Sequence, residues 1–83
     1  LDVAGTGTAN GTDVIIWADS GGGAAQRWRV VALGGGDYKL INPNSGKALD
    51  VAGTGTANGT DVIIWADSGG GAAQRWVFVP LEQ

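Results

Sequence analysis

The sequence has no cysteine, no histidine and no methionine among its 83 residues, and only five basic side chains. Without cysteine there is no disulfide, no thiol nucleophile and no Cys/His zinc site. Without histidine the commonest general base is missing too. The cations Arg27, Arg29, Lys39, Lys47 and Arg75 are scattered, and the acidic residues bring the net charge to −3. That balance speaks against a nucleic acid or an anionic membrane as partner. The longest apolar run, Val14 to Ala18, is far too short to cross a bilayer. The first residues carry neither a basic n-region nor an apolar h-region, so no signal peptide is expected within them. A chain this short buries only about 60% of the surface its unfolded form exposes, and the disulfide and Cys/His-metal staples are unavailable to it.

What the sequence does contain is itself, twice. Shifted by 48 positions, Leu1–Trp28 falls on Leu49–Trp76 without a mismatch. A full unit runs from Gly34 to about Leu81, and the first copy lacks the counterpart of the 15 residues Gly34–Ala48. Surface positions tolerate most substitutions, so 28 identical positions argue for an engineered or very recent duplication. The organisation expected is an incomplete first repeat of three strands over 1–33 and a complete repeat of four strands over 34–83.

Periodicity supplies the strands of the complete unit. Asp37–Asn42 alternates polar and apolar residues, as a half-buried strand does. Asn42-Pro43-Asn44-Ser45-Gly46 reads as a turn, and Lys47–Ala52 as the next strand. The Asn58-Gly59 pair favours a tight turn, and Asp61–Ala66, rich in Val and Ile, reads as a third strand. Ala73–Val79 reads as a fourth, with Gln74, Trp76 and Phe78 on one face and Pro80 ending it. No segment reads as a helix. Trp28 and Trp76 are assigned to the core because each shares a face with its neighbouring Gln and with Val30 or Phe78.

The ordered motifs are Tyr-Lys-Leu-Ile-Asn, Ser-Gly-Lys-Ala-Leu-Asp-Val, Asn-Gly, Ile-Ile-Trp and then Gln-x-Trp, at Gln26-Arg27-Trp28 and Gln74-Arg75-Trp76. Taken together, over nearly the whole chain, they resemble the ricin B-type (Q-x-W) β-trefoil lectins. The resemblance implies an all-β fold, a β-trefoil of three four-stranded repeats that is incomplete in this chain, with one shallow sugar pocket per repeat. It also implies the sugar contacts: Asp2 with Trp17, and Asp50 with Trp65, the carboxylate accepting hydroxyl protons and the ring stacking on the pyranose face. A carboxylate is a strong acceptor for adjacent hydroxyls, and an aromatic ring covers a sugar's apolar C–H face. Gln26 and Gln74 then act in support, satisfying backbone groups or orienting the nearby Asp. Members of this family are mostly secreted.

Several positions depart from the family pattern. Where members place Asn before the Gln of the Q-x-W motif, this chain has Ala25 and Ala73. Where they often place Gln one or two residues before the stacking aromatic, it has Ile15-Ile16 and Ile63-Ile64. Where many carry a disulfide, it has Ala48 and Asp67. Each lost amide contact is worth about 0.5–1.5 kcal/mol, so losing two weakens a site by roughly one to two orders of magnitude.

On residue chemistry alone two roles stay open for the key side chains. Asp50 fits a sugar acceptor or a turn cap paired with Lys47 or Arg75. Trp65 fits a stacking platform or a core residue. Gly5-Thr6-Gly7-Thr8-Ala9-Asn10 lacks the last glycine of a dinucleotide fingerprint and leads into a strand. Asn10-Gly11-Thr12 and Asn58-Gly59-Thr60 match the glycosylation sequon but are first turn formers. The seven Asp residues do not form a calcium loop, and no nucleophile has a visible base. The expectation is therefore a non-enzymatic module that needs no cofactor and binds a mono- or oligosaccharide of galactose or xylose type. The alternative is an engineered or fragmentary scaffold that has lost sugar binding. Because Leu1 falls inside a strand, either a second copy of the chain or upstream residues are expected to complete the trefoil.

Overall fold

The computed structural model describes residues 1–81; Glu82 and Gln83, the end of the expected second repeat, lie outside the described residues. Seven strands appear in chain order: β1 (Asp2–Val3), β2 (Val14–Ile15), β3 (Arg29–Gly34), β4 (Asp37–Asn42), β5 (Lys47–Val51), β6 (Val62–Trp65) and β7 (Trp76–Val77). All pairings are antiparallel. β1 and β2 form one small sheet; the other is ordered β3-β4-β5-β6, with β7 joined to β4.

β4 has the limits its alternation predicts, and β5 and β6 lie within theirs. The turn before β5 closes through Gly46 N–H to the Asn42 carbonyl at 2.8 Å, with Gly46 at a φ of 70° that glycine adopts without strain. The fourth strand is shorter than expected. Ala72–Gln74 winds into a 3₁₀ turn instead, closed by Gln74 N–H to the Gly71 carbonyl at 2.9 Å. β7 then stops at Val77 because that residue pairs with Asp37, the first of β4, and no partner strand extends further. Pro80 is not what ends it. Similar single 3₁₀ turns follow β1 and β5, at Ala4–Thr6 and Ala52–Thr54, and a fourth lies at Ala24–Gln26.

The core is aliphatic: Val3, Leu40, Ile41, Ala48, Leu49, Ile63 and Ile64 are buried. The placement of Trp28 and Trp76 in that core is corrected, since both are half-buried. Each indole N–H donates to a backbone carbonyl, Trp28 to Leu1 at 3.2 Å and Trp76 to Leu49 at 3.1 Å. Trp76 lines an apolar cavity of about 210 Å³ with Leu1, Leu40, Leu49 and Val62. Phe78 is 52% exposed and stacks on Tyr38 with the ring centres 5.1 Å apart.

Two joints tie the copies together. Asn42, fully buried on β4, donates from Nδ2 to the carbonyls of Ala24 and Arg27, both at 3.0 Å. The Asn10-Gly11 turn of the first copy lies along β6 of the second, where Gly11 N–H reaches the Ile64 carbonyl at 2.9 Å and Ile64 N–H reaches the Thr12 carbonyl at 3.0 Å.

Candidate sugar-binding sites

The β5–β6 register sets Asp50 opposite Ile63 and Ala48 opposite Trp65. In the first copy Asp2 likewise pairs with Ile15. Two hollows follow. One, of about 280 Å³, is lined by Asp50, Gly53, Thr54, Ile63, Trp65 and Ala73. The other, of about 310 Å³, is lined by Asp2, Gly5, Thr6, Ile15, Trp17 and Ala25. The lining residues match one for one at the repeat spacing. A further hollow shares Asp50, Thr54, Trp65 and Ala73 with the first and extends it toward Asp67, Ser68 and Gln74.

The acid in each hollow is held by the Gln of the Q-x-W motif. Gln74, 2% exposed, donates from Nε2 to Asp50 Oδ2 and to the Ala66 carbonyl, both at 2.9 Å. Its Oε1 accepts from Ser68 N–H at 2.9 Å and from the Ser68 hydroxyl at 3.0 Å. Gln26 repeats the set on Asp2, Ala18 and Ser20. The 3₁₀ turn at Ala72–Gln74 is what swings this amide inward.

Asp50 is buried, at 9% exposure, and its Oδ1 has no protein partner among the described residues. Lys47 and Arg75, the cations that sequence offered as partners for Asp50, do not pair with it; Arg75 binds Asp37 instead at 2.9 Å. Trp65 is 45% exposed and Trp17 is 73% exposed, so neither is a core residue.

The departures from the family pattern are now placed in space. Ala73 and Ala25 form apolar wall where an amide is absent. Of each Ile pair only the first lines the hollow; of the second members, Ile64 is fully buried and Ile16 is exposed. Ala48 is buried without a disulfide, while Asp67 is tied to β4 through Lys39 Nζ at 2.6 Å. That bond, and then the Gly69 N–H, hold the Asp67 carboxyl below its usual range.

Gly5, Thr6, Gly53 and Thr54 are the lining residues that sequence reasoning missed. Thr6 and Thr54 are the non-glycine residues with positive φ among those described, both at 54°. A β-branched residue in that region is strained, and such strain gathers at functional sites. Nothing in residue type or spacing marks these threonines; only the backbone conformation does.

The sequence profile of the ricin-type β-trefoil lectin-like domain matches residues 1–65. The chain belongs to that family. Its structure is accordingly an incomplete ricin-type β-trefoil.

Among solved structures it is similar to a designed threefold-symmetric protein, ThreeFoil, at 47% identity and a TM-score of 0.91, over 98% of this chain and 56% of that one. It is also similar to an exo-β-1,3-galactanase from Clostridium thermocellum, at 34% identity and a TM-score of 0.88, over 96% of this chain and 17% of that enzyme. A Polyporus squamosus lectin, solved with the epitope Neu5Acα2-6Galβ1-4GlcNAc, shares the fold at 21% identity and a TM-score of 0.71, over 92% of this chain and 26% of the lectin. The chain thus spans little more than half of the designed protein and a smaller share of the other two. No curated protein matches it.

Proposed function

We propose that this ricin-type trefoil chain is a carbohydrate-binding module taking one galactose- or xylose-type pyranose per repeat, at Asp2 with Trp17 and at Asp50 with Trp65. The observation that carries this reading is the Gln74–Asp50 bond beside a half-exposed indole. The amide fixes one carboxylate oxygen and leaves the other without a partner among the described residues, next to a ring able to cover a sugar face. Gln26 and Gln74 orient the acids, and neither contact asks for a cofactor or a reaction step. Calorimetric titration with galactose, lactose and xylose tests it. Loss of one of the two sites per chain in Asp50→Ala and in Trp65→Ala supports the reading, and binding unchanged in both sinks it.

A second reading has its own support. The apolar walls at Ala25, Ala73, Ile15 and Ile63, with the perfect repeat, suit an engineered symmetric scaffold that keeps the trefoil and has lost its sugar. A protein that melts cooperatively and ignores all three sugars establishes this alternative.

Under either reading, residues 1–33 act as the incomplete repeat and 34–83 as the complete one, joined by the β3–β4 hairpin. A second copy of the chain, or further repeat segments, completes the trefoil. The open apolar cavity beside Trp76 and the 89% exposure of Ile16 support that association. Native mass spectrometry and light scattering on the purified chain measure it.

A further inference from the structure

The exact repeat provides an internal control. The same 28 residues stand in Leu1–Trp28 and in Leu49–Trp76, so a difference between the copies comes from their neighbours and not from their side chains. Ile64 is fully buried, whereas its counterpart Ile16 is 89% exposed. Trp65 is 45% exposed, whereas Trp17 is 73% exposed.

Two neighbours differ: β5 pairs Ala48 with Trp65 and Leu49 with Ile64, whereas the first-copy pairing covers only Asp2 with Ile15 and Val3 with Val14, and the Asn10-Gly11 turn docks beside β6. Gly11 N–H donates to the Ile64 carbonyl at 2.9 Å, Ile64 N–H donates to the Thr12 carbonyl at 3.0 Å, and Ala66 N–H donates to Asn10 Oδ1 at 2.9 Å. The backbone is therefore clamped immediately before and immediately after Trp65. The indole also lies against the turn, since a methyl group built on Gly11 would sit 3.8 Å from its Cζ3. Among the described residues no turn does this for Ile16, Trp17 and Ala18. The matching donors and acceptors of Asn58, Gly59 and Thr60 likewise meet no strand there.

We propose that Asn10 and Gly11 are positioning residues for Trp65, and that the two sequence-identical sugar sites are unequal wherever that turn has no counterpart. The Trp65 site is held in its binding geometry by the preceding repeat. Where no turn docks on Ile16–Ala18, the Trp17 site must order its own ring when sugar arrives, and that ordering subtracts from affinity. It gains the same support only when an Asn-Gly turn from a further repeat docks on Ile16–Ala18, so docking and sugar binding at Trp17 strengthen each other. The proposal rests on the sugar-binding reading above.

Trp17→Ala isolates the Trp65 site and Trp65→Ala isolates the Trp17 site, each titrated with lactose in the full chain. We expect affinity at the Trp65 site to be higher by about five-fold or more, the scale of a modest coupling between sites. Added to Trp17→Ala, the change Asn10→Ala should remove most of that advantage, and Asn10→Asp, which keeps the acceptor oxygen, should restore it. Independently of sugar, 19F NMR of 5-fluorotryptophan protein should give a larger solvent-isotope shift for Trp17 than for Trp65, with the Trp65 shift rising in Asn10→Ala. An Asn10→Ala change that leaves both the lactose affinity of the Trp65 site and the Trp65 isotope shift unaltered overturns the positioning role. Unequal shifts with no lactose binding at either site overturn the sugar-binding reading and, with it, the inequality of affinities.

Discussion

Gln74 and Asp50 are 24 residues apart in sequence and joined by a 2.9 Å bond from Nε2 to Oδ2, and Gln26 and Asp2 are joined in the same way at the same distance. In each pair the amide supplies a donor to the carboxylate and closes its remaining positions on the backbone of the loop that follows the tryptophan. The Q-x-W glutamine is therefore the link between the acid, the loop and the last turn of the repeat.

Gln74→Ala should be among the more damaging single changes. It leaves Asp50 Oδ2, the Ala66 carbonyl and Ser68 N–H without their partner in a nearly closed environment. We expect a loss of about 2–4 kcal/mol. Gln26→Ala should cost less, because Gln26 is only half-buried and water reaches the released groups. Urea denaturation of the two variants measures the difference.

Asn42→Ala probes the joint between copies. The change removes both donors to the Ala24 and Arg27 carbonyls at a fully buried position. A loss of about 2–3 kcal/mol is expected, with a cavity contribution small beside the unpaired carbonyls. A shift in denaturation midpoint well under that scale would mean that water takes over both bonds.

Thr54→Gly should act in the opposite direction. Thr54 carries a φ of 54° that suits glycine better than a β-branched residue. Relief of that strain, less the added freedom of the unfolded chain, should raise stability by about 0.5–1 kcal/mol. The same substitution in the first copy, Thr6→Gly, should give a similar gain, and thermal melts of both variants check it.

The ion pair of Lys39 with Asp67 makes part of the stability depend on pH. The hydrogen bond from Lys39, followed by that from Gly69, lowers the folded-state pKa of Asp67 below its ordinary 3.8. Its stabilising contribution is thus complete above 3.8, declines as pH falls toward the lowered folded value, and is gone below it. Wild type should exceed Asp67→Asn in denaturation midpoint at neutral pH, with the gap closing only in that acidic window. The pair is partly exposed, so added salt should narrow the gap as well.

Much of this protein was legible before any fold was seen, because it is encoded over short distances. The repeat, the limits of β4, the Asn42–Gly46 turn and the Asn-Gly turns all follow from alternation and from residues that bend the chain. The acid, the glutamine and the indole were legible through their motifs, and the structure brings Asp50, Trp65 and Gln74 around one indole-walled depression. The strain at Thr6 and Thr54 was not legible, since no residue pattern reports a backbone angle.

What only the tertiary structure decided is which surfaces are covered. Trp28 and Trp76 share a face with apolar neighbours in sequence, yet both are only half-buried. Ile16 and Ile64 sit in the same 28-residue string, and one is exposed while the other is fully buried. No local rule can separate two identical strings. Burial is settled by whatever chain lies alongside, and here that is β5 continued through Ala48 together with the Asn10-Gly11 turn, both set against only one of the two copies.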